Sequence, residues 1–163
     1  MKIPFAISAR TAHLIGMENF ANAEGAIIEL VKNAYDADAD TCVVVADIRE
    51  DNVKSKLFII DNGSGMTDEI IIKHWMTIGT DDKLLNARSS NKKRVKSGAK
   101  GIGRFALNRL GTSAEMLSFA SNEFGKGYVW NVDWKKFDKA RVLSDVEANL
   151  EEITIDYLAR SEE

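Results

Sequence analysis

Three polar residues stand at helical spacing inside an otherwise apolar run: Glu29, Asn33 and Asp36 in "ELVKNAYDAD". Ala23, Ala26, Ile27, Leu30, Val31 and Ala34 follow the i, i+3, i+4, i+7 template, which predicts a core-facing helix over about residues 19–38. At roughly 100° per residue the polar trio forms a second stripe, about a third of a turn from the apolar centre. A cleft wall would lie on that flank. The amide oxygen of Asn33 suits a hard cation such as Mg²⁺, and Glu29, one turn earlier, can take a proton from an attacking water. The plain alternative is a polar helix flank with Asn and Asp near the helix end.

Two further stretches carry chemistry. "DNGSGM" at 61–66 follows the apolar "KLFII", so Asp61 falls at the C-terminal end of a strand with a glycine turn behind it. A carboxylate there can accept a hydrogen bond from an exocyclic amine, Gly65 lets backbone lie against a flat ring, and Met66 offers a soft apolar contact. An ordinary β-turn rich in Asp, Asn and Gly reads equally well. "GAKGIGRFAL" places glycines at a helix start, where backbone amides and the helix dipole favour a phosphate and Lys100 and Arg104 can add charge. Glycines at a helix start also serve tight turns.

The elements that must position these groups follow from patterning. "TCVVVADIRE" and "KLFIID" read as neighbouring strands joined by the polar turn "DNVKS". "TDEIIIKHWMTIG" reads as a short helix with Thr67 as N-cap and Asp68 and Glu69 in its first turn. Residues 80–100, polar and basic, read as a long mobile loop. "GIGRFALNRLG" reads as a helix closing at Gly111 as C′ residue. "AEMLSFASNEFGKGYVWNVDW" reads as two strands around an "NEFGKG" turn. Antiparallel strands on one side and helices on the other suggest an α/β sandwich.

Composition bounds the rest. The chain has 163 residues, 45% apolar and 29% charged, with a net charge of −3, which suits one globular domain and does not call for nucleic acid. No apolar run approaches the roughly 20 residues that span a bilayer, and "MKIPFAISARTAHLIG" lacks the apolar core of a signal peptide. Cys42 is the one cysteine and there are two histidines, so neither a disulfide nor a zinc cluster is expected; a reduced, cytoplasmic protein is. His13, His74, Trp75, Trp130 and Trp134 read as surface or packing residues, and Cys42 as a small buried apolar group.

Taken together, in order and spacing, the three segments resemble the N, G1 and G2 boxes of the GHKL ATPases: gyrase, the ninety-kilodalton heat-shock chaperone, histidine kinases and MutL. "ELVKNAYDADADTCVVV" is similar to the MutL and microrchidia form of the N box, "DNGSGM" to the Asp-x-Gly-x-Gly of G1, and "GAKGIGRFA" to G2. The resemblance covers roughly residues 10–130. It implies the Bergerat fold, a two-layer α/β sandwich with a mixed, mainly antiparallel sheet, helices on one face and ATP between. Glu29 would be the general base and Asn33 the Mg²⁺ ligand. Asp61 would bind the adenine amine, with Gly63, Gly65 and Met66 shaping that pocket. Gly98, Lys100, Gly101, Ile102 and Gly103 would wrap the phosphates, and Asp36 would support the site, through water or a loop amide. Residues 80–100 would be the ATP lid, with Thr80 and Lys83 reaching the nucleotide on closure, and its basic "NKKRVK" attracting phosphate rather than DNA.

The resemblance further implies an ATPase in which nucleotide drives lid closure and homodimerisation. The alternatives are a histidine-kinase-type phosphotransfer domain, which usually lacks a base at the position of Glu29, and an ATP sensor without turnover. Two departures qualify it. The family's last strand, with its Thr near adenine, is not evident, Thr154 being a poor substitute. Relatives also use a lysine from a following domain, so residues 1–163 read as one domain, the N-terminal part of a larger ATPase, slow when isolated.

Overall fold

The computed structural model describes residues 6–20, 22–51, 54–78, 87–97 and 103–157. Helix α1 spans Ala9–Asn19 and α2 spans Ala23–Asp36. Strands β1 (Cys42–Asp47) and β2 (Lys56–Asp61) form an antiparallel pair, with Cys42 opposite Asp61 and Asp47 opposite Lys56. The polar run between them turns the chain, as patterning predicts. One face of this pair carries Val43, Val45, Phe58 and Ile60, all exposed. The other turns Ile59 onto a cluster of Phe20, Ala26, Leu30 and Ala106. The side-chain period of two therefore decides which half of each strand meets the helices.

Thr67 caps the next helix, its Oγ1 accepting the Ile70 N–H at 3.3 Å; α3 is short (Asp68–Ile70) and continues as a π-helical turn over Ile71–Trp75. A 3-10 turn at Gly103–Phe105 leads into α4 (Ala106–Leu110). Gly111 ends α4 in extended backbone (φ −163°), not in the left-handed C′ form expected. Strands β3 (Ser113–Ser118), β4 (Lys126–Asp133) and β5 (Asn149–Thr154) form a second antiparallel sheet in the order β3-β4-β5, with α5 (Lys135–Lys139) between β4 and β5. β4 is its spine: Tyr128, Trp130 and Val132 alternate onto a core with Ile71, Phe105, Trp134 and Phe137. Trp75 meets Trp130 edge-to-face at 5.7 Å.

The α/β class with antiparallel sheets and helices is thus the observed one. Two details differ from expectation. Hydrogen bonding runs in two separate sheets, and every strand pair among the described residues is antiparallel. β5, not read as a strand from the sequence, pairs along β4, Thr154 opposite Lys126. Its polar sequence "NLEEIT" hides the strand because only Ile153 is buried, as befits an edge.

Candidate functional site

Helix α2 begins where Asn22, in extended backbone, accepts the Gly25 N–H at 2.9 Å on its Oδ1. Ala26, Leu30 and Ala34 bury, so Glu29 and Asn33 fall on the flank, half-buried, with Glu29 Oε2 3.5 Å from Lys32 Nζ. Gly103, the last glycine of the glycine-rich segment, comes to this flank. A Cβ on Gly103 would lie 3.5 Å from Asn33 Nδ2, 3.7 Å from Asn33 Oδ1 and 3.6 Å from Glu29 Cγ. One turn along, Asp36 is buried, and its Oδ1 accepts the Ser97 N–H at 2.8 Å, with the Ser97 hydroxyl at 3.3 Å. Residues 97 and 103, on either side of the segment 98–102, therefore both rest on α2, beside the three polar residues that drew attention in the sequence. Gly98, Lys100, Gly101 and Ile102, with Thr80 and Lys83, lie outside the described residues.

Arg104 does something other than line that segment. It is 8% exposed, and its Nη2 donates to the carbonyls of Thr77 at 2.7 Å and His74 at 3.1 Å. Its guanidinium also sits over Trp75, 5.7 Å from the ring centroid. Burial lowers its pKa to about 10. The side chain closes the end of the π-helical turn instead of adding charge for a phosphate, a correction to the sequence reading.

The Asp61 turn is held from two sides. Asp61 Oδ1 accepts the Gly63 N–H at 2.8 Å, and Asn62 Oδ1 accepts both the Asp40 and Thr41 N–H groups at 2.9 Å. The Ser64 N–H donates to the Ala37 carbonyl at 2.8 Å, tying the turn to the end of α2. On the other side the Met66 N–H donates to Ser118 Oγ at 2.7 Å, and the Ser121 N–H to the Ser64 carbonyl at 2.9 Å. A Cβ at Gly63 would come within 2.8 Å of the Ala37 carbonyl; Gly65, at φ +65°, would drive one into the Phe119 carbonyl. Close backbone approach within the fold itself thus demands both glycines. Met66 packs against the tryptophan-rich core. Asp61 is exposed at the end of β2, opposite half-buried Cys42, whose thiol pKa is raised by burial and then by the Asp61 charge.

Asn33 passes a simple test for Mg²⁺. Its side chain is half-buried beside Gly103 and, among the described residues, receives and makes no hydrogen bond. No group of three His, Cys, Asp or Glu able to cage a metal occurs among the described residues. A cation there would take one protein oxygen and complete its shell from phosphate and water, which is the habit of Mg²⁺.

Sequence reasoning missed the partners of this site within residues 87–97. That stretch, expected as part of a mobile loop, makes a tight turn with a bridge between Arg88 and Val95. Arg94 Nη1 donates to the Ala39 carbonyl at 2.7 Å, and Lys92 pairs with Asp40. The signal was present as complementary patterning, acids alternating in "DADAD" and bases clustering in "NKKRVK".

Helices with antiparallel sheets, and an acid-amide helix flank beside Gly103, are consistent with a GHKL-type ATP-binding domain. The family model described as histidine kinase-, DNA gyrase B-, and HSP90-like ATPase matches residues 21–162, and the chain belongs to that family. A comparison with curated proteins finds no significant match. No helix among the described residues is long and apolar enough to cross a membrane.

Proposed function

We propose that this domain binds Mg-ATP against the flank of α2 and hydrolyses it. The observation that carries the reading is the seating of residues 97 and 103 on Asp36, Asn33 and Glu29. Phosphates held by backbone amides of Gly98, Gly101, Ile102 and Gly103, with Lys100, then lie within reach of the amide oxygen of Asn33. Mg²⁺, when bound, neutralises charge on the phosphate oxygens. Glu29 accepts the proton of the attacking water. Asp61, exposed at the end of β2 with one oxygen engaged by Gly63, accepts from the adenine amine with the other.

Residues 80–100 act as the lid, anchored on α2 through the 87–97 turn, with Thr80 and Lys83 reaching the nucleotide on closure. Closure favours a homodimer, and hydrolysis at Glu29 resets it. In motif form the domain is MutL-like, and we place it in the cytoplasm.

Thermal unfolding with Mg-ATP, beside Asp61→Asn, tests this reading. Ligand at about 100 times its Kd adds roughly 2.7 kcal/mol. For a chain of this length that raises Tm by about 5–11 °C. The shift is expected to vanish in Asp61→Asn. No shift at millimolar Mg-ATP refutes the proposal.

A further inference from the structure

The residues just past α2 form a latch that the nucleotide reading does not use. Asp38 sits in left-handed backbone (φ +65°) and is buried. That conformation closes α2 as a C-terminal cap: the Asp38 N–H donates to the Tyr35 carbonyl at 3.1 Å and the Ala39 N–H to the Ala34 carbonyl at 3.0 Å. The cap presents the Asp38 carboxylate to the turn at 87–97. Asp38 Oδ2 accepts the Asn91 N–H at 2.8 Å. The fully buried Ser89 ties the turn together, its Oγ accepting the Arg94 N–H at 2.8 Å and its N–H donating to the Arg94 carbonyl at 2.9 Å.

Arg94 closes the contact from the other side. Its Nη1 reaches the Ala39 carbonyl at 2.7 Å and the Tyr35 carbonyl at 3.4 Å, and its guanidinium stacks over the Tyr35 ring, 4.8 Å from the centroid. Burial pushes the Asp38 pKa up, but Ser89, the Asn91 and Lys92 amides and Arg94 outweigh it and hold the carboxyl below its usual range. The Lys92–Asp40 pair is different in kind: the Asp40 side chain is 73% exposed, and water and salt weaken such a pair. The more sheltered contacts of Asp38 and Arg94 therefore dominate the latch.

Its mechanical consequence lies three residues on. Ser97, bonded to Asp36, is the residue from which the glycine segment departs. We propose that Asp38 and Arg94 are positioning residues for nucleotide binding, locking the 87–97 turn onto the end of α2 so that Ser97, where the glycine segment departs, is held at a fixed place on Asp36. This inference rests on the Mg-ATP reading.

Two substitutions separate the carboxylate from the backbone conformation. Asp38→Gly keeps the left-handed φ without strain and removes the acceptor. Asp38→Asn tolerates the same φ and keeps an acceptor for the Asn91 N–H. Mg-ATP affinity is measured by calorimetry at a temperature where circular dichroism shows each variant folded, and trypsin cleavage after Lys92, Lys93 and Lys96 reports release of the turn. The expected result is a Kd about tenfold weaker and faster cleavage in Asp38→Gly, with Asp38→Asn restoring most of both. Wild-type affinity in Asp38→Gly overturns the inference alone. A wild-type chain that does not bind Mg-ATP overturns the nucleotide reading and this inference with it.

Discussion

Replacing Gly103 with alanine adds one methyl group between α2 and the start of the 3-10 turn. The nearest atoms, on Asn33 and Glu29, lie 3.5–3.7 Å from where that carbon would sit, which is ordinary van der Waals contact. Gly103 is also absent from the left-handed glycines, Gly65 and Gly125, so its backbone accepts a side chain. Alanine narrows the unfolded ensemble, worth about 0.4–1 kcal/mol toward the fold. Stability is therefore expected to hold or to rise by up to about 1 kcal/mol.

Binding responds the other way. The new methyl occupies the space beside the Asn33 amide through which, on the proposed Mg-ATP reading, a phosphate oxygen or its cation would approach. Excluding one such contact costs about 1.4–2.8 kcal/mol, a ten- to hundredfold weaker Kd. Urea unfolding measures the first quantity and titration calorimetry with Mg-ATP the second. Unimpaired binding in Gly103→Ala would show that phosphates do not pass beside Asn33. A loss of more than about 1 kcal/mol of stability would show that the turn is packed differently from the structure described.

Gly65→Ala should do the reverse. Left-handed backbone costs a residue with Cβ about 1–2 kcal/mol, and the methyl meets the Phe119 backbone, which cannot swing aside. A Tm lowered by at least about 5 °C is expected; one within about 2 °C of wild type contradicts it. Arg104→Met sets two effects against each other. The carbonyls of His74 and Thr77 lose a charged donor, at about 1.5–3 kcal/mol each. Against that, burial has moved the pKa from 12.5 to about 10, an opposing term of roughly 3 kcal/mol. A net loss of about 1–2 kcal/mol in denaturant unfolding is expected, and a stabilised variant would mean that burial of the charge dominates.

Much of the framework was legible because it depends on local pattern. The period of Ala26, Leu30 and Ala34 places α2, the β-branched run Cys42–Asp47 places β1, and Thr67 marks a helix start by the chemistry of its hydroxyl. The spacing of Glu29, Asn33 and Asp36 puts them on one flank without any tertiary contact. β5 and α5 were less legible, since short elements bury few residues and leave little periodicity; in α5 only Phe137 is buried. α1 was missed as well, and its Ser8 makes no side-chain cap bond that would have marked the start.

What only the tertiary structure decided is pairing at long range. Nothing local says that Gly103 meets Asn33, that Arg104 turns away to the Thr77 carbonyl, or that the Asp38 carboxylate accepts the Asn91 N–H. Each depends on groups tens of residues apart, whose attraction is felt only after the chain has closed the loop between them. The sequence by itself determines which residues can carry the chemistry and on which face of α2 they stand. The packing of the Asp61 turn, the 87–97 latch and the residue-103 turn around that helix decides which of them meet.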